Sequence, residues 1–358
     1  MKKYEGLLTF LTVLLLGTGF VLPSGAAKGL LYLSTCAALP EGTAAQLRSV
    51  MRQTPTEAVT AVMKRDPVEK NKDLTKTPAD ILEWIEQAKT VTDEQKDGAI
   101  SEVQHGENWA TERFGNLFIR NQTDDVQPDY QKAWDADAQL KIDKSAPAVL
   151  IYHTHTTEGY ETLDRDWYAA DVTSRTEDTD RNVARVGTAI AEELERAGFQ
   201  VIHDKTVHDA QYTGAYDRSR ATVEPYLQQY PNLSVVLDVH RDAIQNDSGT
   251  KIKPTAVING KKSAQIMIIA GAEGGNATDF PNWEQNLSFA LRLQDACETA
   301  SPGLMRPIFF CHRRYNMDMT PCSLLVEFGS EANTLEEAVY AGRLFGSALA
   351  DLLEKYTT

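Results

Sequence analysis

Histidine and glutamate residues stand at the ends of three apolar runs in this sequence. His155 and Glu158 form an H-x-x-E pair in VLIYHTHTTEGY, His240 ends the run LSVVLDVH, and Glu327 lies in SLLVEF. Two imidazoles and one carboxylate are ligands that catalytic zinc prefers, with the fourth position left for water. We therefore predict that His155, Glu158 and His240 bind Zn²⁺ and that Glu327 lies beside them as a catalytic base.

The three runs, residues 148–151, 233–239 and 323–328, are predicted to be buried strands. Uninterrupted apolar strands are typical of a parallel sheet that is covered on both faces. Because functional residues of open α/β sheets gather at the carboxyl ends of the strands, the polar residues should meet there. His153 lies two residues before His155 and points to the same side of an extended chain. It is therefore an alternative ligand or a residue that supports one.

Length and charge limit the possible partners. The chain has 358 residues, which is enough for one large domain or two smaller ones. It carries 51 acidic and 36 basic side chains, for a net charge of −15. Since a protein that binds nucleic acid needs a basic face, the composition argues against nucleic acid as a partner.

Residues 1–27 are predicted to be a membrane anchor or a signal segment. Lys2 and Lys3 precede residues 6–27, which contain no charged side chain and are long enough to cross a bilayer as a helix. The lysines would stay in the cytoplasm, which predicts a single-pass protein of the cell membrane with its catalytic part outside. A cleaved signal peptide is the alternative, because small residues precede Lys28.

The remainder of the chain divides into two regions by pattern. Residues 28–145 are polar and only partly helical in pattern, and we predict that they form an extracytoplasmic spacer. In residues 146–358 strand patterns alternate with helical patterns. This alternation predicts an α/β catalytic domain, with a mostly parallel sheet and helices on both faces. Asn259-Gly260 between two apolar runs predicts a hairpin within it.

The chain contains four cysteines, which is too few for a disulfide scaffold in a protein of this length. Cys311 and Cys322 would be able to pair outside the cell. Buried free thiols are an equally good interpretation of these two residues.

Several ordered motifs resemble the stage II sporulation protein P family of endospore-forming bacteria. They are IYHTHTTEGY, DRNVARVG, HDKTVHD, YDRSR, LDVHRDAI and LLVEFGSEANT, together with the N-terminal segment. The resemblance implies a fold like that of the zinc-dependent N-acetylmuramoyl-L-alanine amidases and, more distantly, the metallocarboxypeptidases. It implies hydrolysis of peptidoglycan during engulfment, both at the bond between N-acetylmuramic acid and L-alanine and in the peptide part of the wall. It also implies stage II sporulation proteins D and M as partners at the engulfing septal membrane.

The resemblance assigns roles by position. In the amidases a histidine follows the first strand, another ends a later strand, and a glutamate near the C-terminus is catalytic. His155, His240 and Glu327 occupy these positions. The amidases usually supply the remaining ligand from just before the first helix, where this chain has Asp180. Glu158 fits the H-x-x-E spacing of the carboxypeptidases instead, so both acidic residues stay candidates.

Four arginines are candidates for contact with the substrate. Arg241 or Arg181 is expected to hold the oxyanion that forms during amide hydrolysis. Arg218 and Arg220 are candidates for binding carboxylates of the stem peptide. Pairing with acidic neighbours on the same predicted helix explains these two residues as well.

Two other functions would use the same fold. A metal-dependent endopeptidase would cut only peptide cross-links with the same ligands. A wall-binding assembly protein would keep the fold without the chemistry. The presence of Glu327 together with every ligand candidate favours an enzyme, because a degenerate one would be expected to lack one of these residues.

Overall fold

The computed structural model describes residues 73–90, 96–138, 140–169 and 174–358. Within these ranges the chain forms twelve strands and six α-helices. The strands are β1 Gly98–Val103, β2 Glu112–Phe114, β3 Leu117–Asn121, β4 Pro147–Tyr152, β5 Trp167–Tyr168, β6 Gln200–His203, β7 Val235–Asp242, β8 Lys251–Ile258, β9 Lys261–Ala264, β10 Ile266–Gly271, β11 Ile308–Cys311 and β12 Ser323–Ser330. The helices are α1 Ala79–Ala88, α2 Tyr130–Ala136, α3 Val183–Arg196, α4 Ala215–Gln229, α5 Trp283–Ala300 and α6 Leu335–Glu354.

The described strands form two mixed sheets. The larger has eight strands in the order β2-β3-β11-β10-β12-β7-β4-β6, and the smaller has four in the order β5-β1-β8-β9. In the larger sheet β12, β7, β4 and β6 run parallel to one another. Strand β10 is antiparallel to β12, whereas β11 and β3 run parallel to β10. The α/β class is therefore correct, and the prediction of a mostly parallel sheet is wrong.

The hairpin at Asn259-Gly260 immediately precedes β10, the strand that is antiparallel to β12 in the larger sheet. Both residues have positive φ, 51° and 77°, as a two-residue hairpin turn requires. Strands β8 and β9 pair antiparallel across it, with Ile258 opposite Lys261. The chain then continues into β10, which enters the larger sheet in the direction opposite to β12. The hairpin prediction is confirmed, but the pairing of β10 depends on contacts far away in the sequence.

Strand β4 shows why the central run is apolar at every position. Val149 and Ile151 face the main core, to which α3, α5 and α6 contribute. Leu150 and Tyr152 face the opposite side and pack in a second cluster with side chains of α4. All four side chains are buried. A strand covered on both faces cannot alternate between apolar and polar residues, and this rigid strand carries the turn that holds two of the candidate ligands.

The region predicted as a spacer contributes to both sheets. Strand β1 pairs with β8, and β3 pairs with β11. All described residues belong to one compact unit. The division of the chain into residues 28–145 and 146–358 remains a prediction about separate domains.

The predicted single-pass location in the cell membrane requires correction. A membrane span needs about 20 consecutive, mostly apolar residues. In the part of the chain that the structure describes, no helix is both long enough and apolar enough for this. The longest of these helices, α6, carries charged side chains such as Arg343 and Asp351. Residues 6–27, on which the prediction depended, lie outside the described residues.

Helix α6 follows the strand that carries Glu327, and its start is held by a capping box. Thr334 Oγ1 accepts a hydrogen bond from Glu337 N at 3.2 Å, and Glu337 Oε2 accepts one from Thr334 N at 3.0 Å. We expect Thr334→Ala to lower the free energy of unfolding by about 1 kcal/mol, because one helical N–H loses its partner. Urea unfolding measures this change. Thr334→Ser keeps the hydroxyl and should unfold like the parent, so an equal loss in both variants would refute the assignment.

Candidate active site

The polar ends of β4, β7 and β12 meet at one edge of the larger sheet. Strand β7 lies between the other two, and its His240 is directly opposite Glu327 of β12. Strand β4 leads into a turn in which Glu158 N donates to His155 O at 3.1 Å. Since the three strands are parallel, all four side chains reach the same edge.

His155, Glu158 and His240 form a cluster that could hold a metal ion. One ligand atom from each residue lies within 4.8 Å of the others. Glu158 Oε1 is 3.5 Å from His155 Nδ1, and Glu158 Oε2 is 3.4 Å from His240 Nδ1. All three residues are buried. Two imidazoles and a carboxylate converge on one point, which is the donor set of a three-ligand zinc site.

Asp238 supports His240 from behind and was not predicted from the sequence. Its Oδ1 lies 2.8 Å from His240 Nε2, the nitrogen directed away from Glu158. The Asp238 carboxylate also accepts hydrogen bonds from Thr154 N at 2.8 Å and from Thr154 Oγ1 at 2.6 Å. Carboxylates commonly orient metal-binding histidines in this way. The D-x-H spacing could have indicated this contact, because residues two apart on a strand face the same side.

Charge within the cluster shifts the pKa values of its members. Burial acts to raise the pKa of Glu158, but His155, His240 and Arg241 hold it well below its ordinary value. Burial acts to lower the pKa of His240, but the carboxylates of Asp238 and Glu158 raise it well above its ordinary value. A proton therefore stays on His240 between two carboxylates, and a bound metal ion would replace that proton.

Glu327 is partly buried beside His240. Its Oε2 has no hydrogen-bond partner among the described residues. Burial raises the pKa of Glu327 well above its ordinary value, with further contributions from Asp242 and Glu158. An unpartnered carboxyl oxygen next to three metal-ligand candidates is suited to proton transfer.

Arg241 is buried and holds the loops around the cluster. Its backbone N–H donates to Glu158 Oε2 at 3.1 Å. Its guanidinium donates to the carbonyl oxygens of Gly159, of Asp242 at 3.1 Å and of Ser174 at 3.0 Å. These contacts explain a positioning role, and its predicted contact with an oxyanion remains a prediction.

A loop after β6 covers the H-x-x-E turn, and sequence reasoning missed its role. Asp209 accepts hydrogen bonds from Thr157 N at 2.9 Å and from Thr157 Oγ1 at 2.7 Å. Arg175 lies 2.7 Å from Asp209 and 3.7 Å from Glu158. The Tyr212 ring stacks on His155 with centroids 4.7 Å apart. Nothing in the local pattern around residues 209–212 indicated these contacts, because the partners lie about 50 residues earlier.

The two alternative ligands, His153 and Asp180, are not part of the cluster. His153 is fully buried, with Nδ1 2.9 Å from Val239 O and Nε2 2.9 Å from His203 Nε2. Burial lowers the pKa of His153 to about 4, so the ring is neutral and both nitrogens have partners. Asp180 is exposed just before α3, where Asn182 caps the helix.

The remaining predicted arginines make contacts within the protein. Arg218 donates from Nε to His208 O at 2.6 Å and from Nη1 to Thr213 O at 3.2 Å. Arg220 pairs with Asp318 at 2.9 Å and with an acidic neighbour one turn along α4. Arg181 Nε lies 3.3 Å from a carboxylate oxygen of Asp178. The proposed roles of these arginines in substrate binding therefore have no geometric support beyond the sequence.

Cys311 and Cys322, which were candidates for a disulfide, are both buried free thiols, as is Cys297 among the described cysteines. Burial raises the pKa of Cys311 and of Cys322 to about 12. Neither thiol is ionised at neutral pH, and both act as packing residues.

Comparison with known proteins gives one family. The family model described as stage II sporulation protein P matches residues 44–350. Stage II sporulation protein P of Bacillus subtilis (strain 168) is 29% identical over 245 residues, which are 65% of this chain and 56% of the relative. The chain thus spans little more than half the length of that curated relative.

The solved structures that match this chain are only distantly similar to it. N-acetylmuramoyl-L-alanine amidase AmiC2 of Nostoc punctiforme has a TM-score of 0.34 and 14% identity, covering 60% of this chain and 97% of that one. The CwlD amidase from Clostridioides difficile, in complex with the GerS lipoprotein, has a TM-score of 0.35 and 12% identity. The match covers 58% of this chain and 98% of that one. A metallo-carboxypeptidase from Burkholderia cenocepacia has a TM-score of 0.33 and 12% identity, and the match covers 61% of this chain and 60% of that one. At these scores the likeness carries no argument about activity.

Proposed function

The chain belongs to the stage II sporulation protein P family, and from this premise we propose that it is a zinc-dependent hydrolase of peptidoglycan that acts in sporulation. The bond that we propose is the amide between N-acetylmuramic acid and L-alanine of the stem peptide. The observation that supports this most strongly is the buried cluster of His155, Glu158 and His240. On the adjacent strand, Oε2 of Glu327 has no hydrogen-bond partner in the part of the chain that the structure describes.

The cluster residues are the proposed zinc ligands. His155 and His240 would each bind through Nδ1, and Glu158 through its carboxylate, since these atoms face one another. Zinc, when bound, supplies a Lewis acid that makes water more acidic and polarises a substrate carbonyl. Asp238 keeps the His240 ring in the orientation that presents Nδ1 to the cluster.

Glu327 is the proposed general base and acid. It accepts a proton from the attacking water and delivers it to the nitrogen of the leaving amine as the C–N bond breaks. The products are the lactyl carboxylate and a stem peptide with a free L-alanine amino group. The raised pKa of Glu327 suits a group that holds the proton between the two halves of this transfer, because burial makes the protonated carboxyl less costly than an exposed one.

Mass spectrometry of digested peptidoglycan tests the proposal. The purified chain is incubated with peptidoglycan in the presence of zinc or of a chelator. We expect stem peptides that begin with L-alanine, and only where zinc is present. Products with intact lactyl bonds and shortened cross-links would instead identify an endopeptidase. The absence of any product, with zinc bound, would favour a wall-binding protein.

Stage II sporulation proteins D and M remain predicted partners, and the prediction rests only on the resemblance to the family. No surface of the described residues is assigned to either of them. A pull-down with each purified protein, compared in the presence and absence of peptidoglycan, would test this prediction.

Loss of the Asp238 carboxylate should weaken metal binding without removing a ligand. We expect Asp238→Asn to reduce zinc affinity about 10- to 100-fold, since an outer residue that orients a ligand typically contributes this much. Competition with a chromogenic chelator measures the affinity. Asp204→Asn is the control and should bind zinc like the parent, because the Asp204 carboxylate accepts a hydrogen bond from Tyr226 and does not contact His240. Equal affinity in Asp238→Asn would contradict the orienting role.

A further inference from the structure

The YDRSR motif lies in the first turns of α4 and connects this helix to the candidate active site. Tyr216 and Ser219 are three residues apart and therefore lie on the same side of the helix. That side faces the larger sheet, because Ser219 is fully buried and its Oγ lies 2.7 Å from Thr154 Oγ1. Thr154 in turn donates to Asp238, the carboxylate behind one of the candidate ligands.

Two further contacts fix the backbone around Tyr216. The Arg218 guanidinium donates to three backbone carbonyl oxygens of residues 208–213, the loop that precedes the helix. Asn316 donates from Nδ2 to Tyr216 O at 2.9 Å and to Ser219 Oγ at 3.1 Å. The start of α4 is thus held by the loop before it, by the sheet and by the segment after β11.

The Tyr216 ring lies against the candidate metal ligand His155. The two ring centroids are 5.5 Å apart, and the rings meet edge to face at 73°. The His155 ring is itself 5.1 Å from the His240 ring. Tyr216 also stacks on Tyr315, with centroids 5.0 Å apart and the ring planes 14° from parallel. Tyr216 therefore borders the cluster, and its two aromatic contacts restrict rotation of the ring.

The candidate base lies on the side of the sheet that α4 covers. Val236 of β7 packs in one cluster with Val223 of α4. Alternate residues of a strand face the same side, so His240 faces this side as well. Glu327 is opposite His240 in register on the neighbouring strand and shares its side. Tyr216 and Glu327 thus lie on one side of the sheet, next to the same histidines.

The hydroxyl group of Tyr216 is available to a ligand. In the described part of the chain, the hydrogen bonds of Tyr216 involve its backbone, and none involves the hydroxyl. Tyr216 is only partly buried. Its oxygen is not among the enclosed polar atoms that lack a partner, so this unbonded hydroxyl retains accessible surface.

The surroundings keep this hydroxyl protonated. Burial raises the pKa of Tyr216 well above its ordinary value, and Asp238, Tyr315 and Glu327 raise it further. A protonated tyrosine hydroxyl donates one hydrogen bond. Tyr216 therefore offers a donor in a region where the neighbouring side chains of Asp238 and Glu327 are acidic.

Amide hydrolysis requires a donor for the oxyanion that forms on the carbonyl oxygen. The two arginines predicted for this task make other contacts. The Arg241 guanidinium binds carbonyl oxygens of the surrounding loops, and Arg181 pairs with Asp178. Tyr216 is held beside the cluster and its hydroxyl is not used within the described structure, so it is the better candidate.

We propose that Tyr216 is a further catalytic residue, whose hydroxyl donates a hydrogen bond to the oxyanion formed when water adds to the scissile amide. This inference rests on the proposed function, because it assigns a role in the same reaction. As the water oxygen bonds to the carbonyl carbon, the C=O π electron pair moves to the oxygen that Tyr216 meets. The pair returns when the C–N bond breaks and Glu327 protonates the leaving nitrogen. Tyr216 keeps its own proton throughout.

Kinetics of Tyr216→Phe test the proposal. Phenylalanine keeps both ring contacts and removes only the hydroxyl. With the full chain, zinc and a soluble muropeptide, we expect kcat to fall about 100- to 1,000-fold, as the loss of one oxyanion donor typically causes. KM and zinc content should stay near those of the parent. Tyr230→Phe, just past the far end of α4, is the matched control and should have the kcat of the parent.

A tetrahedral analogue separates a catalytic role from a structural one. The probe is a lactyl-L-alanine peptide in which a phosphinate replaces the scissile amide, so that its charged oxygens stand in for the oxyanion. Calorimetric titration should show at least about tenfold weaker binding by Tyr216→Phe, which is the effect of losing one hydrogen bond to a charged group. The corresponding amide, titrated into proteins that also carry Glu327→Gln, should bind equally with and without the hydroxyl.

The outcomes distinguish this inference from the proposed function. Weaker binding of the analogue by Tyr216→Phe supports the assignment even if the parent fails to cleave the amide. Unchanged affinity for the analogue overturns it, and so does an equal loss of affinity for analogue and amide, which would indicate a structural role. A loss confined to Tyr212→Phe would move the donor to the other tyrosine beside His155. A parent that binds neither ligand overturns both proposals.

Discussion

Glu327→Gln is expected to reduce amide hydrolysis by about a thousandfold while zinc remains bound. A general base contributes about 10²- to 10⁴-fold to a rate, and glutamine keeps the shape of the side chain but cannot accept the proton. Glu327 is not among the three residues whose ligand atoms converge, so metal content should not change. Turnover of purified peptidoglycan and zinc content by atomic absorption are the two measurements.

Glu331→Gln is the matched control for this variant. Glu331 is a buried acidic residue that directly follows the end of β12, but its Oε2 accepts a hydrogen bond from Ile244 N at 3.1 Å. Glutamine can still accept that bond, so we expect near-normal turnover. Loss of zinc from Glu327→Gln would show that Glu327 is a ligand, and full activity would remove it from the chemistry altogether.

Glu158→Gln is expected to abolish specific zinc binding, whereas Asp180→Asn should leave it unchanged. Glu158 oxygens lie 3.4 and 3.5 Å from the two candidate histidine nitrogens, while Asp180 is exposed outside the cluster. Removal of a direct ligand should reduce zinc affinity by more than about 100-fold, which is the upper value for residues that only orient a ligand. Chelator competition gives the affinity, and activity should fall with it.

The pair of variants decides between the two acidic candidates. Both replace one carboxylate by an amide of the same size, so a general effect of charge would appear in both. Reduced affinity in Asp180→Asn with normal affinity in Glu158→Gln would reverse the assignment. Thermal unfolding without zinc should be measured for both variants, because Glu158 also accepts a hydrogen bond from Arg241 N.

The local sequence pattern was sufficient to predict features that are formed by residues close together in the sequence. The apolar runs before His155 and His240 become β4 and β7, because a strand buried on both faces must be apolar throughout. The hairpin at Asn259-Gly260 forms as predicted, because its turn depends on the conformational freedom of two residues. The proximity of His240 and Glu327 followed from parallel strands whose carboxyl ends share an edge.

Long-range contacts decided the rest. The direction of β10 relative to β12 depends on where the hairpin arm docks, and periodicity carries no information about that. Arg241 was predicted as a substrate contact, yet its guanidinium binds carbonyl oxygens of loops up to 82 residues away in sequence. His153 was predicted to share a strand face with His155, but β4 ends at Tyr152, and the nitrogens of His153 are taken by Val239 and His203. A side chain's partners are chosen by the packing of distant segments, so residue type and spacing name the candidates and only tertiary contacts assign them.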